Sequence, residues 1–148
     1  MIPQELTVYL ADDDADDRLL FEEAIRELNE KATLTMAKNG EQLMVILKNN
    51  TPPPPHLIFL DLNMPLKNGF ECLEEIRGNA AFKNIPVVVF STSCQEDAIE
   101  SVYQKGADHY ICKPDNYKLL KVLLNKVISI HRAPGHSRPS REDFLLSA

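Results

Sequence analysis

Leu6-Thr7-Val8-Tyr9-Leu10-Ala11 runs straight into Asp12-Asp13-Asp14. Two later stretches repeat the design: Leu57-Ile58-Phe59-Leu60 ends on Asp61, and His109-Tyr110-Ile111-Cys112 ends on Lys113, directly before Pro114. Each apolar run has the length of a buried strand, and each delivers charge at its C-terminal end. In a parallel sheet those ends lie side by side, so carboxylates and one ammonium converge on a single edge. Such an edge is a Mg²⁺ site beside a reactive aspartate.

The segments between these runs alternate in period. Residues 15–30 carry Leu19, Leu20, Ala24, Ile25 and Leu28 at helical spacing, with acids early, where the helix dipole favours them. Residues 32–37 alternate with period two, and residues 40–48 return to a helix through Leu43, Met44, Ile46 and Leu47. Pro52-Pro53-Pro54-Pro55 cannot be helical and acts as a stiff spacer before the third strand. A short helix over residues 70–77 follows Gly69, and Pro86 opens a fourth strand, Val87-Val88-Val89-Phe90-Ser91. Residues 95–105 form the next helix, with Gly106 as its cap, and a strong apolar stripe over residues 117–130 predicts the last. Five strand–helix pairs imply right-handed crossovers and a doubly wound α/β fold with one five-stranded parallel sheet and helices on both faces. Ligands of such folds sit beyond the carboxyl ends of the strands, where the acids are.

Composition narrows the function classes. With 148 residues and 16.7 kDa, the chain suits one well-packed domain rather than two. A net charge of −6 offers no basic footprint for nucleic acid. No apolar stretch approaches a membrane span, and no signal peptide is visible, so a cytoplasmic location is expected. Cys72, Cys94 and Cys112 lack metal-ligand spacing and read as buried or incidental thiols of a reducing compartment. The histidines (His56, His109, His131, His136) are scattered and read as surface polar residues.

Chemistry at the acidic edge follows from the residue types. Hard cations want oxygen ligands, which makes Asp13 and Asp61 direct ligands, with Asp12 helping through water. Crowded carboxylates repel unless a cation neutralises them. With the metal bound, an oxygen of Asp61 can attack a phosphoryl group, Lys113 pairs with the phosphoryl oxygens, and the Ser91 hydroxyl reaches one of them. Taken alone, residues 12–17 are equally an ordinary solvated helix start.

With Asp12-Asp13, the loop Asp61-Leu62-Asn63-Met64-Pro65 with Gly69 beyond it, Ser91, Tyr110 and Lys113-Pro114 all in order, residues 5 to about 130 resemble the receiver domain of two-component response regulators. The resemblance implies a flavodoxin-like strand order of 2-1-3-4-5 and a phosphorelay step, in which a sensor histidine kinase passes its phosphoryl group to Asp61. It further implies Mg²⁺ held by Asp13, Asp61 and the backbone carbonyl of Asn63. Ser91 and Tyr110 form the switch: the hydroxyl turns toward the phosphoryl group and the ring moves inward. Asn63 and Ser93 flank the group and tune its hydrolysis. The polyproline spacer and Pro86-to-Ser93 segment resemble stand-alone regulators that partner bacterial phytochrome kinases. Such a protein is a signalling phosphoacceptor rather than an enzyme acting on an external substrate, although it catalyses its own phosphorylation and slow dephosphorylation. A downstream protein partner is implied but not named.

Two other classes compete. A haloacid-dehalogenase-type phosphatase also uses a strand-end aspartate, but wants a second Asp where Asn63 stands. A docking module that never accepts phosphate would not need every member of the acidic edge. The chain divides into a receiver over residues 1–130 and a tail over 131–148, too short for a DNA-binding or catalytic domain. In that tail Phe144, Leu145 and Leu146 are apolar anchors, expected to pack against the domain or a second copy near the last two helices and to support a homodimer.

Overall fold

The computed structural model describes residues 5–28, 31–49, 54–133 and 138–147. Five parallel strands, β1 (Leu6–Ala11), β2 (Ala32–Ala37), β3 (Leu57–Leu60), β4 (Val87–Ser91) and β5 (His109–Cys112), form one sheet in the order β2-β1-β3-β4-β5. Between and after them run α1 (Ala15–Glu27), α2 (Gly40–Asn49), α3 (Gly69–Arg77), α4 (Glu96–Gln104) and α5 (Tyr117–Arg132). This is the expected doubly wound topology, and the expected element positions agree to within a few residues. Of the polyproline spacer, Pro52 and Pro53 lie outside the described residues, as do Asn29 and Glu30 at the end of the first expected helix.

Alternation along the strands splits the core into two layers. Tyr9, Ala11, Ile58, Leu60, Val87, Val89 and Tyr110 point toward α2, α3 and α4, where Leu43, Leu73, Ile76 and Val102 bury them. Val8, Leu10, Phe59, Val88, Phe90 and Ile111 face α1 and α5, against Phe21, Ile25, Leu124 and Val127. On that side Phe21 and Phe59 pack edge to face with centroids 4.9 Å apart, a geometry aromatic quadrupoles favour. Because both faces are covered, β3 and β4 are buried along their whole length.

A further turn of helix, α6 (Arg141–Phe144), follows α5 and was not legible in the tail's composition. Ser140 caps it by accepting from the Asp143 amide, and the chain beyond runs alongside β5. Residues 138–147 thus form a strap over the open edge of the sheet.

Candidate functional site at the carboxyl edge of the sheet

Register places the charged residues together. Ala11 pairs with Leu60, so the residues that follow, Asp12 and Asp61, emerge side by side; Ser91 pairs with Cys112, which brings Lys113 to the same edge. Asp12 is fully buried, and its Oδ1 accepts from the Asp14 amide at 3.0 Å. Asp61 is also buried and accepts from the Leu62 amide at 2.8 Å. Carboxylate oxygens of Asp12, Asp13 and Asp61 come within 4.8 Å of one another. An all-oxygen set of this kind, one member exposed and two buried, fits a hard divalent cation.

Lys113 is the counter-charge. Its Nζ lies 2.8 Å from Asp12 Oδ2, 2.8 Å from Asp17 Oδ2 and 3.4 Å from Asp61 Oδ2. Burial works against the ammonium, but its hydrogen bonds to Asp12 and Asp17 and the charges of Asp12 and Asp61 outweigh that cost and raise its pKa. At Asp12 burial wins instead and pushes the carboxyl up to about 6, despite the hydrogen bonds from Lys113 and the Asp14 amide. One ammonium shared among three acids leaves the edge short of positive charge. Asp17 is a member that sequence reasoning passed over. Five aspartates within six residues hid which one turns inward, and only the Asp14 cap of α1, accepting from the amides of Asp16 and Asp17, fixes that orientation.

The loop that follows Asp61 is shaped by close backbone approach. Gly69 donates its N–H to the Leu62 carbonyl at 2.9 Å, and a Cβ there would stand 2.2 Å from the Asp61 carbonyl oxygen. Only glycine allows α3 to start this near Asp61. Asn68 and Glu71 close a capping box over the same helix start. Just before it, Leu66 sits at φ 69° while the Lys67 amide bonds back to the Pro65 carbonyl at 2.8 Å, a γ-turn with an exposed leucine at its strained centre. Asn63 lies exposed in the same loop.

Ser91 is buried at the end of β4, and its Oγ accepts from the Ser93 amide at 3.1 Å. Tyr110 is fully buried, and its hydroxyl donates to the Ser93 carbonyl. The two expected switch residues therefore meet on one short loop. Cys94 in that loop is joined by a disulfide to Cys112, their Cα atoms 5.7 Å apart. This corrects the reading of all three cysteines as incidental thiols: spacing along the chain hid a pair that adjacent strands bring together. Cys72 keeps the expected character, buried with its thiol pushed up to about 12 by burial.

Of the histidines, His109 departs from expectation. His109 is buried and packs edge to face on His131 at 5.4 Å, and His56 Nδ1 accepts from the Thr7 amide at 2.9 Å. His136 lies outside the described residues.

A five-stranded parallel sheet with an acidic carboxyl edge and a facing lysine defines a receiver-type phosphoacceptor. The chain matches the family described as response regulator receiver domain over residues 8–125, and it belongs to that family. It is 35% identical to response regulator Rcp1 of Synechocystis sp. over 78% of this chain and 81% of that protein. A probable chemotaxis protein CheY of Rhizobium etli is 29% identical over 85% of this chain and 95% of its own length. Among solved structures, the phosphorylated cyanobacterial phytochrome response regulator RcpA superposes with a TM-score of 0.78 at 32% identity, covering 92% of this chain and 99% of that one. The Mn²⁺-bound form of Rcp1 superposes at 0.77 with 31% identity, covering 91% and 99%. The protein is thus a phosphoacceptor of two-component signalling, and among the described residues no helix is long and apolar enough to cross a membrane.

Proposed function

We propose that Asp61 is the residue that takes the phosphoryl group, delivered from the phosphohistidine of a sensor histidine kinase. The observation that carries this reading is the convergence of Asp12, Asp13 and Asp61, with Lys113 Nζ facing Asp12 and Asp61. A carboxylate oxygen of Asp61 forms the new P–O bond as the P–N bond breaks, and the imidazole keeps the electron pair. Asp13, Asp61 and the Asn63 carbonyl would hold Mg²⁺, with Asp12 helping through water. When bound, the ion would supply positive charge beside the phosphoryl oxygens and the crowded carboxylates. Lys113 pairs with the transferred group and so transmits its charge to β5. Ser91 turns its hydroxyl toward that group, and Tyr110 completes the switch.

The kinase is phytochrome-like, a reading supported by the similarity to RcpA, described as a phytochrome response regulator. The receiver comprises residues 1–130, with residues 131–148 as a tail, and the protein works in the cytoplasm. Its catalysis is confined to its own phosphorylation and slow dephosphorylation. Because Phe144 docks on its own chain, a homodimer built on the tail would have to exchange that segment between copies.

Incubation with acetyl phosphate and Mg²⁺, followed by intact mass, tests the assignment. Wild type should gain one phosphoryl mass, and Asp61→Asn should gain none while keeping its fold. Adduct formation by Asp61→Asn at the wild-type rate would sink it. Turnover of acetyl phosphate without adduct would favour a phosphatase, and no reaction at all a docking module.

A further inference from the structure

The strap straddles the edge of the sheet. Phe144 is fully buried in the α4-side core, with its ring 5.1 Å from Tyr103 and 6.3 Å from Tyr110. Leu146, two residues on, belongs to the α5-side core. Between them Leu145 bridges Tyr110 in parallel register, and the Leu146 amide donates to the Tyr110 carbonyl at 2.9 Å. Polar clamps hold both flanks: Arg141 pairs with Glu96 and Glu100 on α4, and Lys126 on α5 donates to the Ser147 carbonyl at 3.0 Å. Arg138 stacks on Tyr103 at 4.2 Å. Aromatic seat, strand pairing and ion pairs together make an intramolecular docking site, not a casual contact.

The centre of that site bears on Tyr110. The strap bonds to its carbonyl and packs against its ring, while its hydroxyl reaches the other way, to the Ser93 carbonyl beside Ser91. The Phe144 ring stands 6.3 Å from the Tyr110 ring and both are fully buried, so the two side chains share one packed site. We infer that residues 138–147 are an intramolecular ligand of the α4–β5–α5 face, and that docking of this strap and phosphorylation at Asp61 favour the same inward position of Tyr110. This rests on the phosphoacceptor reading above. Two ligands that favour one state strengthen each other by equal factors, so the coupling must appear from both ends. A partner using this face displaces the strap, and the strap's chemistry describes the competitor: a basic residue followed by an aromatic, then a strand that pairs with Tyr110.

The test uses the full chain with Mg²⁺ and beryllofluoride, a mimic of the aspartyl-phosphoryl group. Hydrogen exchange at the Leu146 amide should slow by about fivefold or more when beryllofluoride binds. Phe144→Ala should release the strap and weaken beryllofluoride binding by the same factor. A chain ending at Ala133, which keeps the whole family-matched region, should bind beryllofluoride as weakly as Phe144→Ala. Strap exchange that ignores beryllofluoride, or beryllofluoride affinity that ignores both variants, would overturn the inference. So would a full-length dimer that becomes monomeric on truncation, because the strap would then dock on a second copy. If wild type binds no beryllofluoride at all, the phosphoacceptor reading fails with it.

Discussion

At the carboxyl edge of the sheet, three carboxylates crowd one ammonium at a cost the fold sustains, whereas along the flank of β5 the strap buries Phe144 and satisfies its polar groups as it docks. Both regions act on the same strand: Lys113 follows its last residue, and Tyr110 lies in its middle. The edge is electrostatically incomplete, with Asp12 raised to about 6 by burial, and on the proposed reading a cation or a phosphoryl group would complete it. The strap is a closed packing unit, indifferent to ions at the edge except through Tyr110. A lesion at the edge should therefore be answered by metal, and a lesion in the strap should not.

The largest effect is expected from Lys113→Ala. Removing the ammonium from buried partners leaves Asp12 uncompensated, at a cost on the order of 3 kcal/mol in unfolding free energy without metal. Urea denaturation should show much of that loss recovered with Mg²⁺, together with failure to switch on phosphorylation. Equal losses with and without metal would break the distinction between the two regions.

Next comes pH. Because the folded pKa of Asp12 lies above its unfolded value, the native state binds more protons than the unfolded state between about pH 4 and 6. Stability in chelator should thus fall as pH rises through that window, by on the order of 2 kcal/mol. Mg²⁺ should flatten the profile, and Asp12→Asn should abolish this component. A profile unchanged by Asp12→Asn would show that another group carries it.

Phe144→Ala supplies the counterpart. Its cost, about 1–3 kcal/mol, should appear as local opening of residues 138–147 and should be the same with and without Mg²⁺ in the absence of a phosphoryl mimic. Gly69→Ala should cost a similar 1–3 kcal/mol, since its Cβ meets the Asp61 carbonyl, and it should also slow phosphorylation by displacing the loop. The smallest effect belongs to Leu66→Gly. Relief of the positive φ at an exposed side chain should raise the thermal midpoint slightly, by well under 1 kcal/mol net, because glycine's backbone entropy opposes the gain.

The regular part of this architecture was legible from local pattern. Val87-Val88-Val89-Phe90 is apolar at every position because both sheet faces are covered, and apolar runs ending in Asp12, Asp61 and Lys113 point to one edge once the strands are parallel. Asp17, the Cys94–Cys112 pair, the His109–His131 contact and the strap resisted such reading, each for the same physical reason. Periodicity reports which face of its own element a residue occupies, but not what another element brings to meet it. Asp17 looked like its four neighbouring aspartates until the cap at Asp14 turned it toward Lys113. Phe144 could be named as an anchor from its apolarity alone, yet its seat against Tyr103 and Tyr110 exists only after α4 and β5 have packed. The amino-acid sequence by itself thus determined the strands, their order of charge and the candidate phosphoacceptor edge, since those follow from local burial and chain direction. Tertiary structure alone decided the partners of Lys113, the position of Tyr110 and the place of the strap, because those depend on contacts between residues far apart in the chain.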